Sequence, residues 1–95
     1  MNIAPMKDPD PAALETRRRR VLFRATHRGT HENDLMIGGF VRTNLHNLHE
    51  TELDALEELL DLPDPDLADW LSGRRPIPPD VGGPMLLRIR DSLFR

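Results

Sequence analysis

The sequence predicts an all-α fold, a small single-domain bundle of about five helices. Apolar residues recur three and four positions apart in successive stretches, most clearly at Leu53, Leu56, Leu59 and Leu60 and at Met85, Leu86, Ile89 and Leu93. That period gives a helix one buried face. No stretch alternates apolar with polar residues, and no hairpin dipeptide joins two such runs. At 95 residues the chain has the size of one domain with a modest core, and a stability of about 5 to 10 kcal/mol is expected.

Residues 1–12 hold three of the nine prolines and little apolar side chain, and read as a disordered tail ahead of a helical domain over 13–95. The first helix is expected from Ala13 to His27, with Leu14, Val21, Leu22 and Ala25 as its apolar stripe among arginines. Gly29 is the expected C′ residue in a left-handed turn, with Arg24 and Arg28 near the negative end of the helix dipole. A second helix follows from His31 to Leu45, carrying Glu32 and Asp34 in its first turn, where exposed N–H groups favour carboxylates. Leu35, Met36, Phe40 and Val41 should anchor it to the core. Gly38 and Gly39 each cost about 1 kcal/mol relative to alanine, which implies close packing of another helix or a kink.

The third helix covers residues 50–61, opened either by Thr51 with Asp54 as a capping-box variant or by His49. The fourth has Asp64 as N-cap, Pro65 at the first helical position and Gly73 just past the end, with Leu67, Trp70 and Leu71 on one face. Trp70 reads as a core residue. Residues 74–83, with three prolines and two glycines, form a restricted loop. Its Arg74-Arg75-Pro76 turn is either a solubilising loop or a second contact. Pro84 opens the fifth helix, and Phe94 is placed to close its end.

Composition removes several classes of function. There is no cysteine, hence neither a disulfide framework nor a zinc–thiolate site. No apolar run approaches about 18 residues, so no membrane insertion is expected. The N-terminus has neither the apolar stretch of a secretory signal nor the acid-free amphipathicity of a transit peptide, which points to a bacterial cytoplasmic protein. The formal charge is −3, yet residues 17–28 carry six arginines and no acid, while residues 50–69 carry nine acids and no base. That asymmetry predicts a dipole with one basic end. The acidic total and the absence of tyrosine speak against nucleic acid as the partner of the arginine run.

Residues 28–40 concentrate the remaining chemistry. Arg28, His31, Glu32 and Asp34 crowd around Gly29, whose missing Cβ permits positive φ or close approach by another backbone. Glu32 and Asp34 resemble an acid–base pair, but catalysis needs a water-excluding pocket that a short bundle seldom builds, so no catalytic residue is assigned. The pairs His27 with His31 and His46 with His49 have helical spacing, yet Gly29 interrupts the first and the second ends a helix, so no metal site is assigned. A helix cap, an internal partner for Arg28, or a surface that touches another protein accounts for the same residues.

The stretch Arg28-Gly29-x-x-Glu32-x-Asp34-Leu35, followed by Gly38 and Phe40, resembles the signature of the SdhE family of succinate dehydrogenase assembly factors. So does Asp64-Pro65-Asp66-Leu67-x-x-Trp70-Leu71-x-Gly73-Arg74-x-Pro76, and the likeness covers about residues 17–80. The resemblance implies a chaperone-like protein that binds the immature flavoprotein subunit of succinate dehydrogenase, and in some bacteria fumarate reductase, and assists covalent attachment of FAD. The flavoprotein's own histidine receives the flavin, so the chain is expected to be no enzyme and to bind no cofactor itself. Partner binding falls on Arg28, Gly29 and Glu32, with Asp34, His31 and Arg24 beside them. Thr30, Asn33 and Gly39 depart from the residues that many members carry. A monomer is expected. The alternative is a regulatory or antitoxin-like module that masks an unrelated protein, and copurification with a flavoprotein would separate the two.

Overall fold

Asp10 sets the start of the first helix: its carboxylate accepts from the Ala12 N–H at 3.2 Å, and Pro11 occupies the first turn, where no N–H is needed. The computed structural model describes residues 10–94, which form α1 (Pro11–Thr26), α2 (His31–Asn44), a 3-10 turn (Leu45–Asn47), α3 (Glu50–Leu60), α4 (Asp64–Ser72) and α5 (Gly83–Leu93). The cap at Asp10 brings α1 in two residues before the expected Ala13, so residues 10–12 of the tail expected over 1–12 are the cap and first turn of α1, and residues 1–9 of it lie outside the described residues. The bundle is all-α as the periodicity predicts. Its core draws Val21 and Ala25 from α1, Ile37, Phe40 and Val41 from α2, four leucines from α3, Leu67, Trp70 and Leu71 from α4, and Met85, Leu86 and Ile89 from α5. Each such aliphatic side chain contributes roughly 1.5 to 3 kcal/mol by leaving water.

The end of α1 comes early because side chains take its last carbonyls. The Thr26 hydroxyl donates to Leu22 O at 2.8 Å, and the His27 ring stacks on Phe23 while its Nδ1 lies 2.9 Å from Phe23 O. Gly29 has the expected positive φ, +91°, but stands third after the last helical residue rather than directly after the cap. Thr30 then caps α2, accepting from the Asn33 N–H at 3.3 Å.

Along α2 the two glycines part company. A Cβ on Gly38 would stand 2.7 Å from Thr26 Cγ2 and 3.2 Å from Ala25 O, so α1 packs directly on its backbone, whereas a Cβ on Gly39 would meet nothing within 4 Å. The helix continues through both. Leu35 is not an anchor: it is 61% exposed, because Ile37, Gly38, Phe40 and Val41 define the buried face and a residue two positions from Ile37 points away from it. At α3 the His49 N–H donates to Glu52 Oε1 at 2.8 Å, which selects His49 as the cap; Asp54, the other candidate's partner, pairs with Arg17. Asp64 proves to be the first residue of α4 rather than its cap, and its carboxylate is directed to Arg28 of the α1–α2 turn and Asn33 of α2. Phe94 closes α5 through its backbone, its N–H donating to Asp91 O at 3.3 Å, while its side chain stays exposed.

The charge blocks expected to give a dipole are brought side by side, because α1 packs against α3, and several of their members pair. Arg17 bonds to Asp54 and to Glu57 at 2.9 Å, Arg24 to Asp61 at 2.9 Å, and Arg28 to Asp64 at 2.7 Å, while Arg18 donates to Leu48 O at 2.9 Å. The bond from Arg17 holds the Glu57 carboxyl below its ordinary pKa against the opposing effect of burial. Every ion pair among the described residues uses arginine as the cation.

Candidate functional site

The turn between α1 and α2 is tied down from two directions. Inside it, the Arg28 N–H donates to Asp34 Oδ1 at 2.7 Å, closing the loop over Gly29. Across the bundle, the Arg28 guanidinium donates through Nε to Asp64 Oδ1 at 2.7 Å, through Nη1 to Leu60 O at 2.7 Å and through Nη2 to Leu62 O at 3.2 Å. The planar fork thus satisfies a carbonyl in the last turn of α3, another in the α3–α4 connection, and the carboxylate that opens α4. Its side chain keeps only 9% exposure. Expected near the end of α1, Arg28 instead stabilises the end of α3.

Asn33 completes this knot. It is fully buried, and its Nδ2 donates to Asp64 Oδ1 at 2.9 Å and to Asp64 O at 3.0 Å. Two acceptors facing it fix the amide orientation, and they leave Asn33 Oδ1 buried without a partner. Burial by itself would raise the Asp64 pKa, but the hydrogen bonds from Arg28 and Asn33, with the charge on Arg28, outweigh it and hold the carboxyl below its ordinary value.

On the exposed side of the same turn lies a second network. Glu32 Oε1 accepts from Arg74 Nη2 at 3.3 Å and Glu32 Oε2 from Arg74 Nη1 at 3.4 Å. Asp69 sits behind, accepting from Arg74 Nε at 2.9 Å and Arg75 Nε at 3.0 Å, and these two bonds lower its pKa. Arg75 also pairs with Asp66 at 2.8 Å and lies over the Trp70 ring at 5.6 Å from its centroid. Trp70 itself is buried, as its place between Leu67 and Leu71 predicts.

The structure therefore brings Arg28, Gly29, His31, Glu32 and Asp34 together in one turn, with Gly29, His31 and Glu32 exposed and Arg28 and Asp34 engaged internally. Arg24 stands one turn earlier, paired with Asp61. Sequence reasoning missed Asn33 and Asp64 as members of the site, and left the Arg74 turn open between a solubilising loop and a second contact. A signal for Asn33 was available: it precedes Ile37 and Val41 at four-residue spacing, so it belongs to the buried face. A metal would find no group of three or more suitable side chains among the described residues. A groove of about 350 Å³ is lined by Ala55, Glu58, Leu59, Leu62, Asp80 and Pro84, away from the motif. A second, about 310 Å³, begins at Leu35 and runs past Gly39 to Leu93. No helix among the described residues is long and apolar enough to cross a membrane.

The charged groups of the turn are thus bonded to one another and to the backbone. Residues 19–93 match the model of the family described as flavinator of succinate dehydrogenase. The FAD assembly factor SdhE of Acetobacter pasteurianus is 51% identical over 83 residues, which is 86% of this chain and 76% of the relative. The mitochondrial succinate dehydrogenase assembly factors 2 of Mycosarcoma maydis and Dictyostelium discoideum are 43% and 37% identical over 79% and 68% of the chain, and the match spans 32% and 46% of their lengths. No solved structure gives a significant match. With its family model spanning α2 to α5 and the second half of α1, the chain belongs to the flavinators of succinate dehydrogenase.

Proposed function

We propose that the chain is an assembly factor that binds the immature flavoprotein subunit of succinate dehydrogenase and promotes covalent attachment of FAD to it. The reacting groups belong to the flavoprotein and the flavin; this chain contributes a rigid surface that holds the partner in a productive arrangement, which lowers a barrier through orientation alone. It is no enzyme, holds no cofactor of its own, and works as a monomer in the bacterial cytoplasm.

The observation that carries the reading is the division of labour in the α1–α2 turn. Arg28, Asn33 and Asp64 lock the backbone from within, so Gly29, His31 and Glu32 are displayed on a fixed frame. Preorganised contact groups lose less entropy on docking than mobile ones. In this scheme Gly29 lets the partner's backbone come close, Glu32 accepts from its N–H or basic groups, and Arg28 and Asp34 act by holding the turn, with Arg24 and His31 flanking it.

The test is in-gel flavin fluorescence of the denatured flavoprotein from cells lacking this chain, complemented with wild type or with Glu32→Ala. Denaturation leaves only covalent flavin visible. Signal restored by wild type but not by a folded Glu32→Ala supports both the function and the location. Equal signal in all three strains would defeat the assembly role and favour a masking module.

A further inference from the structure

The docking turn has a second half on the loop after α4. Arg74 meets Glu32 from 42 residues away in sequence, and the two side chains are 53% and 47% exposed. A pair so exposed contributes little to the stability of a fold. Its geometry nevertheless is not casual. Gly73 turns the chain in the left-handed region, the Arg75 N–H donates to Asp69 O at 3.1 Å, and Pro76, Pro78 and Pro79 restrict the backbone of the loop. Asp69 grips Arg74 Nε at 2.9 Å, while the terminal nitrogens stand a looser 3.3 to 3.4 Å from Glu32. The guanidinium is thus fixed at its base, and its tip is released from Glu32 at little cost.

We propose that Arg74 is a direct contact residue of the docking surface, reading a carboxylate on the flavoprotein while Glu32 accepts from a basic or N–H group beside it. The side-by-side order of charges makes the surface selective for a partner that presents the opposite pair in matching order. In the free protein the two residues satisfy each other; on docking, each exchanges its neighbour for a partner group, and Asp69 keeps Arg74 aimed. This inference rests on the assembly reading.

A double-mutant cycle tests it, using the flavoprotein subunit purified without FAD and measuring its affinity for wild type, Glu32→Ala, Arg74→Ala and the double variant, with circular dichroism to verify the fold. Arg74→Ala should weaken binding by about fivefold or more, and it should weaken it further in the Glu32→Ala background. If the double variant binds no worse than Glu32→Ala, Arg74 only steadies Glu32 and the inference is overturned. Tighter binding by Arg74→Ala would overturn it as well, marking the arginine as a mask. Arg74→Glu supplies a second probe and should abolish most binding without loss of helix. Failure of every variant, Glu32→Ala included, to change affinity would instead defeat the placement of the site.

Discussion

Two charged networks leave the same turn, and they behave as opposites. The knot of Arg28, Asn33 and Asp64 is buried, short and shared among three helices, whereas the relay of Glu32, Arg74 and Asp69 is exposed and longer at its outer link. Both rely on arginine–carboxylate pairing, yet solvent decides what each can do. Water screens the relay, so its partners exchange easily; the knot, with Arg28 and Asn33 buried, has little water to fall back on, so losing one member strands the others. A motif that looks uniform in sequence is therefore half scaffold and half surface.

Breaking the knot should give the largest effect. Asp64→Ala removes the counter-charge of a guanidinium that is 9% exposed and should cost about 3 kcal/mol, moderated because Leu60 O and Leu62 O still accept from Arg28. Chemical denaturation of the purified chain measures it. Asn33→Asp should cost about 2 kcal/mol near neutral pH, since a second carboxylate would replace the donor to Asp64. Burial and the like charge raise that new carboxyl's pKa, so its deficit should shrink as the pH falls and the group takes up a proton. Wild type should move the other way. Asp64, with its pKa lowered in the folded state, contributes stability that is present above its unfolded value and lost as the pH drops through its folded one. Opposite slopes of stability against pH in the two proteins would confirm the placement of Asn33; parallel slopes would refute it.

Gly29 sits between the two networks, and Gly29→Ala sharpens the contrast. Nothing obstructs a Cβ there, so the penalty comes from φ alone and should be about 1 kcal/mol. The relay itself should be the least costly to break. Glu32→Ala and Arg74→Ala should each leave stability almost unchanged, measurable as near-coincident thermal transitions with wild type.

Periodicity made most of the core legible, although Leu93, on the expected stripe of α5, is exposed at the helix end. Leu53, Leu56, Leu59 and Leu60 are all buried, and so are Met85, Leu86 and Ile89. Within α2 the apolar residues were read without the polar one among them, so Leu35 was turned inward when Asn33 and Ile37 hold that face. The local half of the site was equally readable, because Arg28, Gly29, Glu32 and Asp34 are neighbours along the chain. Its long-range half was not: the carbonyls of Leu60 and Leu62 have no side-chain signature, and nothing near Arg74 in sequence announces Glu32. The pairing of the charge blocks was hidden for the same reason, since a sequence displays charge but not which helices lie side by side.

The reliance on arginine for every cation of these ion pairs has a practical consequence. Guanidinium groups are inert toward amine-directed reagents, and the sequence contains one lysine, Lys7, ahead of α1. A fluorophore or cross-linker delivered to that amine leaves each bridge between the helices, and the whole α1–α2 turn, chemically untouched.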